Sequence, residues 1–416
     1  MIGVKINSKK DMSITNRLES FYKMDMVYIP VEGAKVLVKK NDKVLMGERI
    51  AVSNNGIYHF ASVSGKVVDV VKMRNMKNKE IDCIKIKNDF KEEKIEEYDN
   101  DNFARYSKEN FIESIKNAGI IGLGGAGFPT YLKYNTTEDI NTLIINAVEC
   151  EPYITADYTT SLKHINEILK TLQTMIQLFD IESCYIGVKK KNYRLRELFV
   201  TAVAKFPKIK VVDVPNLYPM GWERSLVRYI KHVDYDKIPL EKGIVVSNIS
   251  TIYAIYEALR YQKPLYEHVV TFTGEGFKNP KNLIVRTGTK VGDILNTLKV
   301  DGDDIDFSLV AGGPMMGEAI SDDNLVIESS LNCILLLPTK EEKETTCLRC
   351  GKCVDNCPVK ICPVLVKDNI NDLDDLKRLY PNRCIECGIC SFICPAKINL
   401  REYVRKAKEK CREEVK

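Results

Sequence analysis

The chain ends in two copies of one pattern, C-x-x-C-x-x-C-x-x-x-C-P: Cys347, Cys350, Cys353, Cys357 and Pro358, then Cys384, Cys387, Cys390, Cys394 and Pro395. No other stretch restricts the fold so tightly. Three thiolates at i, i+3 and i+6 wrap around one cubane, while the fourth, followed by a chain-turning proline, reaches a second cluster. The spacing therefore assigns one 4Fe–4S cluster to Cys347, Cys350, Cys353 and Cys394, and another to Cys384, Cys387, Cys390 and Cys357. Two zinc sites are the competing reading, but structural zinc takes four ligands per site, usually offered in pairs. The remaining six of 14 cysteines (Cys83, Cys150, Cys184, Cys333, Cys362 and Cys411) are scattered and mostly read as buried or idle thiols, with Cys362, beside the first run, a buried thiol or else a substitute ligand.

Composition sets the context. The 416 residues suffice for two to four domains, and the formal net charge is +5 with both signs interspersed. That is a solvated surface rather than a nucleic-acid stripe. No apolar run reaches the ~18 residues of a membrane span, and "MIGVKINSKKDMS" does not read as a signal peptide. The expected location is cytoplasmic, with a peripheral place on the inner face of the cell membrane left open. Grouped cysteines in such a chain point to metal rather than disulfides.

Upstream, residues 20–88 alternate apolar and polar positions around Asn41-Asp42, Asn54-Asn55-Gly56 and Ser64-Gly65, the pattern of short strands. The halves "VKKNDKVLMGERIA" and "ASVSGKVVDVV" resemble the folded hammerhead of biotinyl and lipoyl carriers. Such carriers hold a modifiable lysine at a hairpin tip; here the tip is Ser53-Asn54-Asn55-Gly56, so a structural module is expected. From 103 to 262 strands such as "TLIINAV" and "GIVVSNI" alternate with helices, which predicts an α/β layer with a largely parallel sheet. Leu162 to Phe179 is expected to form one amphipathic helical face, and Ser250 to cap the helix beginning "STIYAIY". Residues 265–335 read as a small α+β unit and 342–416 as the cysteine-rich domain.

"AGIIGLGGAGFPTYLK" (118–133) contains G-x-G-x-x-G at Gly122, Gly124 and Gly127. Alone this match is weak, and Pro129 restricts how a helix can begin. Its context is stronger. "NAVECEPYITADY" follows a buried strand, where α/β sheets hold ligands, and Glu149 and Glu151 there suit ribose hydroxyls or a cation. Two clusters carry electrons singly, so a nicotinamide donor would require a flavin to split the hydride pair.

"GLGGAGFPTYLK", "NAVECEPYITAD", "AGGPMMG" and the doubled cysteine run together resemble the RnfC family, the electron-input subunits of Rnf complexes, which are related to the FMN- and NADH-binding subunit of respiratory complex I. The resemblance implies a multidomain α/β and α+β chain. Its parts are a barrel-sandwich hybrid (20–88), a Rossmann-like α/β flavin domain (103–262), an SLBB-type β-grasp (265–335) and a C-terminal, α-helical two-cluster ferredoxin domain (342–416). It implies non-covalent FMN, NADH as substrate, and a protein electron acceptor, either Rnf-type membrane subunits or a soluble reductase. By the same resemblance Gly122, Gly124, Gly125, Gly127 and Lys133 line the flavin phosphate and ring, and Phe128 stacks on the nicotinamide or adenine. Asn146, Glu149 and Glu151 serve the flavin and nucleotide side. "YPMGWERSL" supplies Tyr218, Gly221 and Glu223, and "SNIST" supplies Asn248 and Thr251. Trp222 and Ser247 depart from the family pattern, as does "VEGAKV" near the first strands, so a divergent paralogue is expected. These departures leave a second reading, a flavin-less electron relay with a degenerate nucleotide pocket.

Overall fold

The computed structural model describes residues 3–14, 17–96, 98–300, 306–339 and 343–413. The limits expected for the cysteine-rich domain, 342 and 414–416, lie outside them.

The α/β layer is a four-stranded parallel sheet in the order Ile209–Val214, Ser183–Lys189, Thr142–Ala147, Ile244–Asn248. Its central strand is apolar at nearly every position because both faces are covered. Leu143 and Ile145 pack with the helices Ile165–Leu178 and Ile249–Tyr261 on one face. Ile144 meets Leu226 and Val227 of the helix Glu223–Lys231 on the other. Strand order reverses at Thr142–Ala147, so the loops after its carboxyl end open a crevice at the switch point.

Two local expectations are corrected. The face running from Leu162 to Phe179 is broken at His164, which leaves helical geometry between Ala156–Lys163 and Ile165–Leu178 and stacks on Tyr253 at 3.8 Å. The cap of Ile249–Tyr261 is Asn248, not Ser250, because the Asn248 side chain accepts the N–H groups of both Ser250 and Thr251.

Around this layer lie two β units. The strands Met26–Pro30, Glu80–Asn88, Gly65–Arg74 and Lys43–Val44 form one antiparallel sheet, and Lys35–Val36, Arg49–Val52 and Tyr58–Phe60 form a second. The hairpin tip is docked rather than free, since the Tyr131 hydroxyl donates to the Asn55 carbonyl at 2.7 Å. The other unit is a six-stranded mixed sheet built from Glu267–Thr273, Lys281–Arg286, Phe307–Ala311, Glu318–Ile320 and Cys333–Pro338, with the helix Val291–Leu298. Its sixth strand, Glu19–Phe21, comes from the beginning of the chain and pairs parallel to Lys281–Arg286. Ile29, Ile50, Ile84 and Ile86 share one core with Val270, Phe272 and Val285, so the two β units are joined. The tail consists of short helices and the final helix Leu400–Glu413 around a small core of Val366, Leu376, Val404 and Ala407.

Candidate functional site

The glycine loop lies at the mouth of the crevice. Gly122 N–H donates to the Phe128 carbonyl at 2.8 Å, Gly127 N–H to the Gly122 carbonyl at 3.2 Å, and Leu123 N–H to Thr251 Oγ1 at 2.9 Å. Among the described residues, the N–H groups of Gly124, Gly125 and Ala126 have no acceptor within the protein. Gly125, at φ 97, sits at an exposed tip where an added Cβ would meet nothing within 4 Å. Three successive N–H groups without an acceptor leave donors for an anion such as a phosphate. Phe128 is 46% exposed beside the loop, and Lys133 Nζ lies 6.0 Å from its ring centre. Lys133 points inward, donating to the Val246 carbonyl at 2.6 Å and lying 3.9 Å from Glu223 Oε2. Burial holds its ammonium below the ordinary lysine range.

Beneath the loop is a buried acidic network. Asn248 Nδ2 donates to Asp157 Oδ2 at 2.7 Å, and Ser250 Oγ to Asp157 Oδ1 at 2.5 Å. Glu149 Oε1 accepts Asp157 N–H at 2.8 Å, and Glu149 Oε2 pairs with Lys10 at 2.9 Å. Burial, reinforced by Glu149, pushes the Asp157 carboxyl up to about 7, and burial also raises Glu149. Lys189 closes the group from the end of its strand, 3.4 Å from the carbonyls of Glu149 and Cys150, and burial brings its ammonium down to about 8. Asn146 reaches sideways, its Nδ2 donating to the Gly221 carbonyl at 2.9 Å. Gly221 is confined by Cys150, whose Sγ would lie 2.9 Å from an added Cβ.

Glu151 joins the crevice to the tail. Its Oε2 accepts Met315 N–H at 3.1 Å, from the second glycine-rich turn, and its Oε1 lies 3.2 Å from the Tyr218 hydroxyl. That hydroxyl lies 2.7 Å from the Cys387 carbonyl. Burial raises the Glu151 carboxyl to about 7. Tyr218, Met315, Cys387 and Ile389 form one buried apolar contact, and Arg401 donates to the Gly317 and Met316 carbonyls at 2.9 and 2.8 Å.

The cysteine runs keep their two halves interleaved. Cys347, Cys353, Cys390 and Cys394 pack against Ala396, Ile398 and Leu400, while Cys384 packs against the core that contains Cys357. Cys347 Sγ accepts Arg349 N–H at 3.4 Å and Cys384 Sγ accepts Glu386 N–H at 3.3 Å. Burial pushes the Cys387 and Cys390 thiols up to about 12, so metal ligation there must expel protons. Among the described residues no three His, Cys, Asp or Glu side chains stand close enough to hold a single metal ion.

The profile of the RnfC barrel-sandwich hybrid domain matches residues 1–91, and that of the Nuo51 FMN-binding domain matches residues 115–257. One subunit of the proton-translocating ferredoxin:NAD(+) oxidoreductase complex of Clostridium ljungdahlii is 32% identical over 380 residues, covering 88% of this chain and 82% of its own length. The chain belongs to the RnfC family. Its counterpart in the Na(+)-translocating ferredoxin:NAD(+) oxidoreductase complex of Acetobacterium woodii is 30% identical, covering 83% of this chain and 81% of its own. The RnfC-type relative in the ion-translocating oxidoreductase complex of Vibrio cholerae is 33% identical over 79% of this chain, which spans only 44% of that longer protein. Among solved structures, an NAD+-reducing [NiFe]-hydrogenase in its H2-reduced state superposes with a TM-score of 0.52 at 15% identity, covering 76% of this chain and 63% of that one, a likeness of fold.

Set beside the expectations for an RnfC-type chain, the crevice gathers Gly122, Gly124, Gly125, Gly127, Asn146, Glu149, Asn248 and Thr251, with Phe128 at its rim. Lys133 and Glu223 face each other on its inner side, and Tyr218, Gly221 and Glu151 lie toward the tail. Sequence reasoning missed Lys10, Asp157, Lys189 and Ser250. Asp157 stands inside "NAVECEPYITADY", and Ser250 reads from the sequence only as a cap. Lys10 and Lys189 carry no local signal, because each reaches the site through long-range packing.

Proposed function

We propose that this chain takes hydride from NADH in the crevice and passes electrons singly through its tail to a protein acceptor. When bound, FMN would supply the two-to-one split of the hydride pair, and two 4Fe–4S clusters the one-electron relay. The observation that carries the reading is the Tyr218 hydroxyl, which touches Glu151 of the crevice at 3.2 Å and the Cys387 carbonyl of the second run at 2.7 Å. One side chain thus links the nucleotide side to a cluster ligand.

The remaining roles belong to the chain. The bare N–H groups of Gly124, Gly125 and Ala126 would hold the flavin phosphate, and Phe128 would shield the exposed edge of the ring and nicotinamide. Asp157, Glu149 and Lys10 hold protons and charge under the loop, and Asn248 transmits that arrangement to Gly124, whose added Cβ would lie 3.3 Å from Asn248 Nδ2. Catalysis here is positioning, with no general acid or base acting on substrate. Cys347, Cys350, Cys353 and Cys394 would ligate one cluster, and Cys384, Cys387, Cys390 and Cys357 the other. The doubled C-x-x-C-x-x-C-x-x-x-C-P spacing favours this assignment over zinc. The acceptor would be Rnf-type membrane subunits or a soluble reductase. No helix among the described residues is long and apolar enough to cross a membrane.

The flavin-less alternative rests on Trp222 and Ser247. Ser247 is 3% exposed and its Oγ bonds Tyr134 at 2.8 Å in the core, so its presence does not empty the crevice. Anaerobic addition of NADH to reconstituted protein tests the proposal. Flavin absorbance should bleach, followed by loss of the cluster band; a flavin that stays oxidised refutes it.

A further inference from the structure

The two cysteine runs repeat in backbone as well as in sequence. Arg349 and Glu386 both hold φ 54, Gly351 and Gly388 both hold φ 73, and Lys360 and Lys397 hold 55 and 57. The same N–H to sulfur bond occurs in each, from Arg349 to Cys347 and from Glu386 to Cys384. Position by position, the surroundings of the two runs can therefore be compared.

Around the second run this face is covered. Cys387 is 7% exposed and Ile389 1%, both packed with Tyr218 and Met315, and Ile385 adds to the contact. A Cβ on Gly388 would fall 2.3 Å from the Met315 carbonyl oxygen. At the counterpart positions of the first run nothing among the described residues covers the chain. Cys350 is exposed, Leu348 in the place of Ile385 is 66% exposed, and a Cβ on Gly351 would meet nothing nearer than the Asp355 carboxylate at 3.8 Å. One motif presents the same face twice, and the described residues of the protein's own body occupy only one of them.

The uncovered copy also differs in charge. Arg349 stands where the second run has Glu386, and Lys352 where it has the buried Ile389. Glu386 is paired with Lys408, whereas Arg349 and Lys352 are exposed and, among the described residues, have no ion pair. Asp355 is the single acidic residue in this stretch.

We propose that the bare face centred on Cys350 is the docking surface for a protein electron carrier that presents acidic groups around its own redox centre. The inference rests on the electron-transfer reading above. In the step it serves, one electron crosses the face; the cluster side is oxidised, the carrier is reduced, and no bond forms or breaks and no proton moves. A small apolar centre with a cationic rim suits a transient encounter steered by charge. A lipid surface would satisfy the cations but accepts no electron, so the exposed ligand at the centre favours a protein.

A small acidic flavodoxin serves as the probe, titrated into the full chain carrying flavin and clusters in their oxidised state. Wild-type protein should bind it at low salt and lose at least about tenfold in affinity at high salt. R349E/K352E should lose about tenfold at low salt, and NADH-driven reduction of the flavodoxin should fall in parallel, while NADH still bleaches the bound flavin. K210E, on the edge strand of the parallel sheet, should change neither. Leu348→Ser is the second variant should the double one lose its cluster absorbance, and it should weaken binding without altering the salt slope. Unchanged affinity in these variants, or an equal loss in K210E, overturns the proposal. So does loss of binding to phosphatidylglycerol vesicles in R349E/K352E with flavodoxin affinity intact, which would make the face a membrane contact. Failure of the flavin to bleach would strike the parent reading alone, since the affinity measurement uses oxidised protein.

Discussion

In the crevice the polar side chains answer one another, whereas in the tail the thiols answer only backbone N–H groups. Asp157 already has Asn248 and Ser250, and Glu149 already has Lys10. The tail instead rests on two small cores, one with Val366, Leu376, Val404 and Ala407 and one with Ala396, Ile398 and Leu400. The difference teaches where each site draws its stability. The crevice is preorganised by its own packing, and under the proposed function the tail would depend on the clusters its cysteines hold. Removing iron from the proposed clusters should break this comparison open most widely. Hydrogen exchange after chelation is expected to show amide protection lost across Cys347–Glu413 and retained in the strand Thr142–Ala147. Cys387→Ser should do the same in part, with iron falling from about eight to about four per chain. Protection lost equally in both regions would show that they fold as one unit.

The next largest effect isolates the contact between the regions. Gly388 and Gly351 share φ 73, so an alanine at either carries the same left-handed strain of about 1 kcal/mol. Only at Gly388 does the new methyl meet the Met315 carbonyl oxygen, at 2.3 Å. Gly388→Ala is expected to cost about 2 kcal/mol more than Gly351→Ala in denaturant unfolding, and, under the proposed function, to slow electron passage from crevice to clusters. Equal costs would mean that the turn around Met315 yields easily.

How much of this was legible follows from what each feature depends on. The cysteine spacing is a local rule that needs no tertiary knowledge, and the apolar strands betrayed the parallel sheet because burial on both faces leaves only one pattern. The joining of the β units was not legible. Glu19–Phe21 is too short to announce itself and is a strand only because Lys281–Arg286 offers it an edge. In the crevice, the glycines and Glu149 were visible as a motif, but Lys10 and Lys189 arrive from 139 and 40 residues away along the chain. The break at His164 was hidden for the same reason: the ring of Tyr253 that it stacks on lies in another helix.

A smaller effect tests whether the crevice is as self-sufficient as its bonds suggest. Asp157 has a folded pKa of about 7 against an ordinary 3.8. Between those values the unfolded chain has lost its proton while the folded chain keeps it, so stability falls as pH rises through that window and the full cost is present above pH 7. Asp157→Asn retains the shape and removes the charge. It is expected to be more stable than wild type by about 1–3 kcal/mol at pH 8, with the gap closing toward pH 4. A gap independent of pH would place the Asp157 charge outside the balance of the network.

The smallest effect lies at the junction itself. The Tyr218 hydroxyl carries one proton but faces two acceptors, the Cys387 carbonyl at 2.7 Å and Glu151 Oε1 at 3.2 Å. Below about pH 7 the Glu151 carboxyl keeps its own proton and makes no demand on the phenol. Above that pH the ionised carboxylate competes with Cys387 for it. Tyr218→Phe then removes one neutral hydrogen bond at pH 6, worth about 1 kcal/mol, and at pH 8 also strips a donor from a buried charge. Because that donor lowers the Glu151 pKa, its loss raises the pKa further, and the penalty of the variant should grow as pH passes 7. Urea unfolding at the two pH values measures it. A penalty that stays flat would mean that Tyr218 serves Cys387 alone, leaving the crevice and the second cysteine run joined by packing on Met315 rather than by a shared proton.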